Sequence, residues 1–184
     1  RQPAEASLRN ILLAKTVAAA IVALVITFTQ AHNAVLGLIG VLSFTTVLVA
    51  VEIYTAFKST DRQIRGPIMR IAASVLALGS LVSYSYITRD DNYTLLIVNI
   101  VIASYGFFAI EMYKSVRSGF AKDPEGRDHL TAALLNFALL VTYLLDFAGV
   151  IKLGEVPAVG IYGAYTAVLA VLWGIKAFDP KKPS

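Results

Sequence analysis

The chain has 184 residues, of which 57% are apolar and only 15% charged, against about a quarter charged in soluble domains. With a mean hydropathy of +0.69, this excludes a disordered chain, a nucleic-acid-binding domain and an ordinary soluble enzyme, and points to an integral membrane protein. The net charge of +4 comes from basic residues set between apolar stretches, where membrane topology accounts for them, and without cysteine there is no disulfide, thiolate metal site or thiol nucleophile.

Six apolar stretches follow in chain order, each near the roughly 20 residues a bilayer crossing takes. They lie near 11–29, 34–54, 68–87, 93–113, 130–149 and 157–176. The runs are continuous, where a barrel strand would alternate, so they are read as helices. The first is not read as a cleaved signal peptide. Thr29-Gln30-Ala31-His32-Asn33 and a second span follow it at once, without a clear small-residue cleavage site. Gly66-Pro67 before the third span and Pro124-Glu125-Gly126 before the fifth read as helix punctuation. The predicted fold is all-α, a polytopic membrane helical bundle forming a single transmembrane domain over 1–184.

Lysine and arginine set the expected orientation. Arg1, Arg9 and Lys15 precede or open the first span. Lys58, Arg62, Arg65 and Arg70 lie around the second connection, and Lys114, Arg117, Lys122 and Arg127 around the fourth. Lys176, Lys181 and Lys182 close the chain. These are 14 of the 16 basic residues, and the other side holds Arg89 and Lys152. Both termini are therefore expected in the cytoplasm, in a multi-pass protein of the cell (inner) membrane.

The chain also repeats itself. Val51-Glu52-Ile53-Tyr54-Thr55-Ala56-Phe57-Lys58-Ser59 ends the second span, and Ile110-Glu111-Met112-Tyr113-Lys114-Ser115-Val116-Arg117-Ser118 ends the fourth. Glu, Tyr, a basic residue and Ser coincide. The sixth span ends Trp173-Gly174-Ile175-Lys176-Ala177-Phe178, with Trp173 where the glutamates stood. The six spans thus read as three two-helix hairpin repeats, near 10–59, 68–118 and 129–178. Each starts on the same side of the membrane, unlike the inverted repeats of many transporters.

Three hairpins in under 200 residues resemble the small six-span bacterial membrane proteins of the HdeD-like type. Phe28-Thr29-Gln30-Ala31-His32-Asn33-Ala34-Val35-Leu36-Gly37-Leu38 is similar to the first outer loop of small actinobacterial membrane proteins. The resemblance implies a bacterial inner-membrane protein without assigned chemistry, sometimes tied to acid or envelope stress. It carries over no catalytic residue.

Glu52 and Glu111 are the first candidates for chemistry. A carboxylate inside a span costs roughly 2.5–3.5 kcal/mol at its centre on insertion scales. The pair reads either as a proton or cation site at an inner vestibule or as interfacial carboxylates paired with Lys58 and Lys114. Their shallow position favours the second. On that reading both are hydrated or paired with basic side chains, and replacing both with Gln costs little, since interfacial pairs are worth at most about 1 kcal/mol. Asp146, near the outer end of the fifth span, is a site residue, a partner of Lys152 or a cap on the outer turn. Asn99 and Asn136 are mid-span amides, read as interhelical hydrogen bonds or as a pore lining.

Gly160/Ala164 and Gly163/Ala167 make two small-xxx-small pairs on the sixth span, expected to pack inside the bundle. Tyr84, Tyr86 and Tyr93 on one side and Tyr54, Tyr113 and Trp173 on the other read as aromatic belts. His32 and His129 fall on opposite faces, about 30 Å apart, too far to share a metal or a haem. No phosphate loop, zinc helix or nucleophile set appears in the sequence. The expectation is an integral membrane protein without enzymatic activity or cofactor, a scaffold or accessory subunit. The alternative is a small transporter or channel with an inner vestibule near Glu52 and Glu111. Its partners are the lipid bilayer and either further copies of itself or a larger membrane complex, with no nucleic acid.

Overall fold

The computed structural model describes residues 3–87 and 91–178, with side chains over 9–85 and 91–178. These form six helices: α1 (Pro3–Phe28), α2 (Ala34–Lys58), α3 (Arg62–Ile87), α4 (Asn92–Arg117), α5 (Pro124–Phe147) and α6 (Glu155–Phe178). All six contain a segment long and apolar enough to cross a membrane. The protein is an all-α, multi-pass integral membrane protein. Among the orientation charges, Arg1, Arg89, Lys181 and Lys182 lie outside the described residues, as does the side chain of Tyr86.

Every apolar stretch became a helix, but the helices run further at the basic end. α2 continues to Lys58 and α4 to Arg117, while α3 starts at Arg62 and α5 at Pro124. Apolarity marks only the hydrocarbon layer. A helix keeps its backbone bonds into the interface, where long basic side chains reach water. Pro124 opens α5 at its first position, where a missing N–H costs nothing. Gly66-Pro67, by contrast, does not mark the start of α3, which runs through it. Proline cannot donate to the carbonyl four residues back, here Gln63. The Tyr113 hydroxyl on α4 donates to that carbonyl at 2.6 Å, so the lost bond is replaced from a neighbouring helix.

α4 is the central helix. Leu96, Ile97, Ile100 and Ile110 on it are buried, and it packs against α5 most extensively, then α3 and α2. α1 lies along α6 on the other side of α2. α5 and α6, though consecutive, touch only lightly, so the closest packing runs between the sequence hairpins as well as inside them. Two of these approaches depend on glycine. A Cβ on Gly106 would stand 2.1 Å from Val75 on α3, and one on Gly163 would stand 2.6 Å from Ile26 on α1. The outward faces are apolar, with Ile21, Leu78, Leu134 and Val171 exposed, as a surface solvated by lipid tails requires. With six spans, both ends of the described chain lie on one side. All described lysines and arginines except Lys152 lie toward that side.

Candidate functional site

Glu52 sits six residues before the end of α2, and Glu111 six before the end of α4. That is about 9 Å of helix. The two share a depth, as the repeated motif suggests, but they are not hydrated. Glu52 is 1% exposed and Glu111 is 6% exposed. Each is held by side chains from other helices. Lys15 of α1 donates to one oxygen of Glu52 at 2.5 Å, and Lys114 of α4 donates to the other at 2.5 Å. Nδ1 of His129 on α5 lies 2.6 Å from Glu111. With Glu111 ionised, that nitrogen carries the proton. Lys114 and Lys15 both lie within electrostatic reach of Glu111.

The partners therefore differ from those expected. Lys58 lies over the Tyr54 ring, 5.8 Å from its centre, and does not bind Glu52. Lys114 binds Glu52 rather than Glu111. Burial makes each carboxylate a counter-charge, so the premise of exposed pairs behind a small cost for double replacement by Gln does not hold. The Lys15 ammonium also rests 5.3 Å from the centre of the Trp173 ring. Trp173 is buried and stacks near Phe44, with centroids 6.3 Å apart, so it is no belt residue.

Four helices thus converge on a cluster in which two lysines balance two glutamates, with His129 as the member closest to water at 21% side-chain exposure. The cluster continues into α6. Asn136 donates to the Ala132 carbonyl on its own helix and accepts from the Tyr165 hydroxyl at 2.8 Å. Asn99 donates to the Leu95 carbonyl and, at 3.3 Å, to the Ser83 hydroxyl on α3. Both amides therefore tie helices together. Among the described residues, no group of three or more His, Asp or Glu is placed to hold a metal.

Asp146 belongs to a separate device at the opposite end. It accepts from the Tyr93 hydroxyl at 2.7 Å and from the Leu153 amide at 2.8 Å, and the Gly154 amide donates to the same Tyr93 oxygen at 3.1 Å. Asp146 is thus the cap of the α5–α6 turn, tied to α4. Its partners are Tyr93 and backbone, not Lys152. Of the small residues on α6, Gly163 packs on α1, whereas Gly160, Ala164 and Ala167 are exposed on the outer face. Of these four, Gly163 alone is packed against another helix within one chain. His32 lies in the α1–α2 connection, at the end of the bundle opposite His129.

Lys15, His129 and Tyr165 are the site residues that sequence reading missed. Lys15 had a legible signal. It stands inside the run Ile11-Leu12-Leu13-Ala14 to Thr16-Val17-Ala18-Ala19, and a lysine within a span calls for a partner. His129 had no such signal, because it sits where a histidine of the α4–α5 connection would also sit. No family model, no curated protein and no solved structure matches the chain.

Proposed function

We propose that the protein is a non-enzymatic scaffold or accessory subunit of the bacterial inner membrane, with its basic end in the cytoplasm. The observation that carries this is the closure of the charge cluster. Glu52 spends both oxygens on Lys15 and Lys114, and Glu111 is bound to His129. The carboxylates fasten α1, α2, α4 and α5 to one another, and buried ionic groups of this kind serve to fix helix register. The resemblance to HdeD-like proteins fits the same role.

A second reading is a small transporter or channel for an ion or small solute, with its inner vestibule at Glu52 and Glu111. Its support is the burial of both carboxylates within a span, where ionisable groups commonly mark a translocation path, together with the partial exposure of His129.

Reconstitution into liposomes separates the two. The scaffold reading expects no proton or cation flux above protein-free vesicles, and stable partners on purification in mild detergent. Flux through the wild type that the Glu52→Gln/Glu111→Gln variant abolishes overturns it in favour of transport.

A further inference from the structure

The geometry points to a site for an anionic phospholipid on the outer face of the first hairpin, with one acyl chain in a groove between α1 and α2 and its phosphate at Lys58 and Arg9. The groove has a volume of about 480 Å³. Leu13, Val17 and Ile21 wall it on α1 and Ser43 and Val47 on α2, with buried Phe44 as its floor. It exists because α1 packs along α6 far more than along α2, leaving the two consecutive helices parted on the lipid side. Apart from the Ser43 hydroxyl, its walls are hydrocarbon. Water has too few partners there, and an acyl chain is what the surrounding solvent supplies.

The length and direction of the site follow from the helices. From Leu13 to Val22 the groove spans about 14 Å of rise, about half of the roughly 30 Å hydrocarbon layer, and it runs from the basic half of the α1 span to just past its middle. Toward the basic end its α2 wall continues along exposed Ala50 and Tyr54 to Lys58, whose ammonium lies 5.8 Å above the Tyr54 ring. On α1, Arg9 lies one turn beyond Leu13, 5.8 Å from the centre of the Phe178 ring. Among the described residues neither Lys58 nor Arg9 makes a salt bridge. The carboxylate nearest to Lys58 in sequence, Asp61, pairs with Arg117, and Glu52 is taken by two lysines. Two cations without a salt-bridge partner among the described residues thus lie beyond the basic end of a hydrocarbon slot. The opposite end of this hairpin, Thr29 to Asn33, holds no lysine or arginine. An anionic headgroup is therefore selected on the basic side alone.

Trp173 is the chain's single tryptophan, and its ring lies beside the groove's floor residue Phe44. Bromine on an acyl chain in the groove should quench its fluorescence. In unbrominated phosphatidylcholine vesicles, brominated phosphatidylglycerol should quench at a lower mole fraction than brominated phosphatidylcholine, by about fivefold for each of the two cations. Lys58→Gln and Arg9→Gln should each reduce that preference. Ala14→Phe, which fills the groove from an exposed position, should weaken quenching by both lipids, and Lys152→Gln should change nothing. Equal quenching by the two headgroups overturns the proposal, as does a preference that survives the combined Lys58 and Arg9 replacement. Quenching unaffected by Ala14→Phe overturns the groove. Loss of quenching as protein is concentrated in the membrane means that a second copy fills the slot instead.

Discussion

Lys114 forms its salt bridge with Glu52, 62 residues away on α2, and not with Glu111, its neighbour one turn back on α4. A local pair would have tied α4 to itself. The long-range pair ties α4 to α2 and, through the second oxygen of Glu52, to α1. Glu111 is left for His129 and so ties α4 to α5.

Glu52 is then the most sensitive member. Glu52→Gln removes the carboxylate that both buried ammonium groups bind, leaving two lysines against Glu111 alone, and should destabilise the protein by about 3–5 kcal/mol. Replacing all three charges with apolar residues, as Glu52→Leu/Lys15→Met/Lys114→Met, should recover most of that loss. Equilibrium unfolding in detergent measures both. A loss below about 1 kcal/mol for Glu52→Gln would mean that the pair is hydrated after all.

The spans and the two glutamates were legible because burial in lipid writes itself into composition. The partners were not. Hydropathy locates six helices but does not say which of them touch, and the α1–α6 and α4–α5 contacts join different hairpins. Counting basic residues by loop placed Lys15 with the orientation charges, although its position inside an apolar run marked it as a buried cation. Spacing on one helix suggested Lys114 for Glu111. Only the three-dimensional approach of α2 shows why Glu52 takes it. Asp146 stood as one of three alternatives, and the turn geometry after Phe147 decides for the cap.

Gly106 and Gly160 should respond in opposite ways to alanine. At Gly106 the new methyl meets Val75 at 2.1 Å, whereas at Gly160 nothing stands within 4 Å. Gly106→Ala should cost about 1–3 kcal/mol through overpacking, and Gly160→Ala should be neutral or slightly stabilising. Thermal unfolding of the two variants side by side checks this.

Tyr93→Phe removes the hydroxyl that joins Asp146 to the Gly154 amide. The expected cost is about 1 kcal/mol. Its signature is local, with faster amide exchange at Leu153 and Gly154 and unchanged exchange around Glu52.

Asp91 gives a pH dependence of known sign. Its side chain caps α4 by accepting from the Thr94 amide at 3.0 Å, and the Thr94 hydrogen bonds hold its carboxyl below the ordinary value of 3.8. A lowered native value means stabilisation that is fully present above 3.8 and lost as pH falls through the native value. Asp91→Ala should therefore be less stable than wild type at neutral pH by about 1 kcal/mol, a typical cap. The difference should shrink below pH 3.8. Asp91→Asn, an uncharged cap, should keep the stability and flatten the dependence.

The proposed orientation is open to direct labelling. Cysteines placed singly at His32 and Lys152 should react with an impermeant maleimide added outside intact cells, and one at Lys122 should not. Reaction at Lys122 and protection at His32 would reverse the topology.

The bridge from Lys15 to Glu52 also has a consequence for synthesis. A ribosome feeding the membrane delivers Lys15 first, 37 residues ahead of its carboxylate, and Lys114 a further 62 residues later. Until α2 emerges, the α1 lysine has only the interface to shelter in, reached by stretching its stem toward the headgroups. The first helix is therefore expected to enter shallowly and to be drawn to its final depth by a segment made afterwards. A nascent chain stalled before Glu52 should leave α1 extractable at high pH, and one stalled beyond it should not.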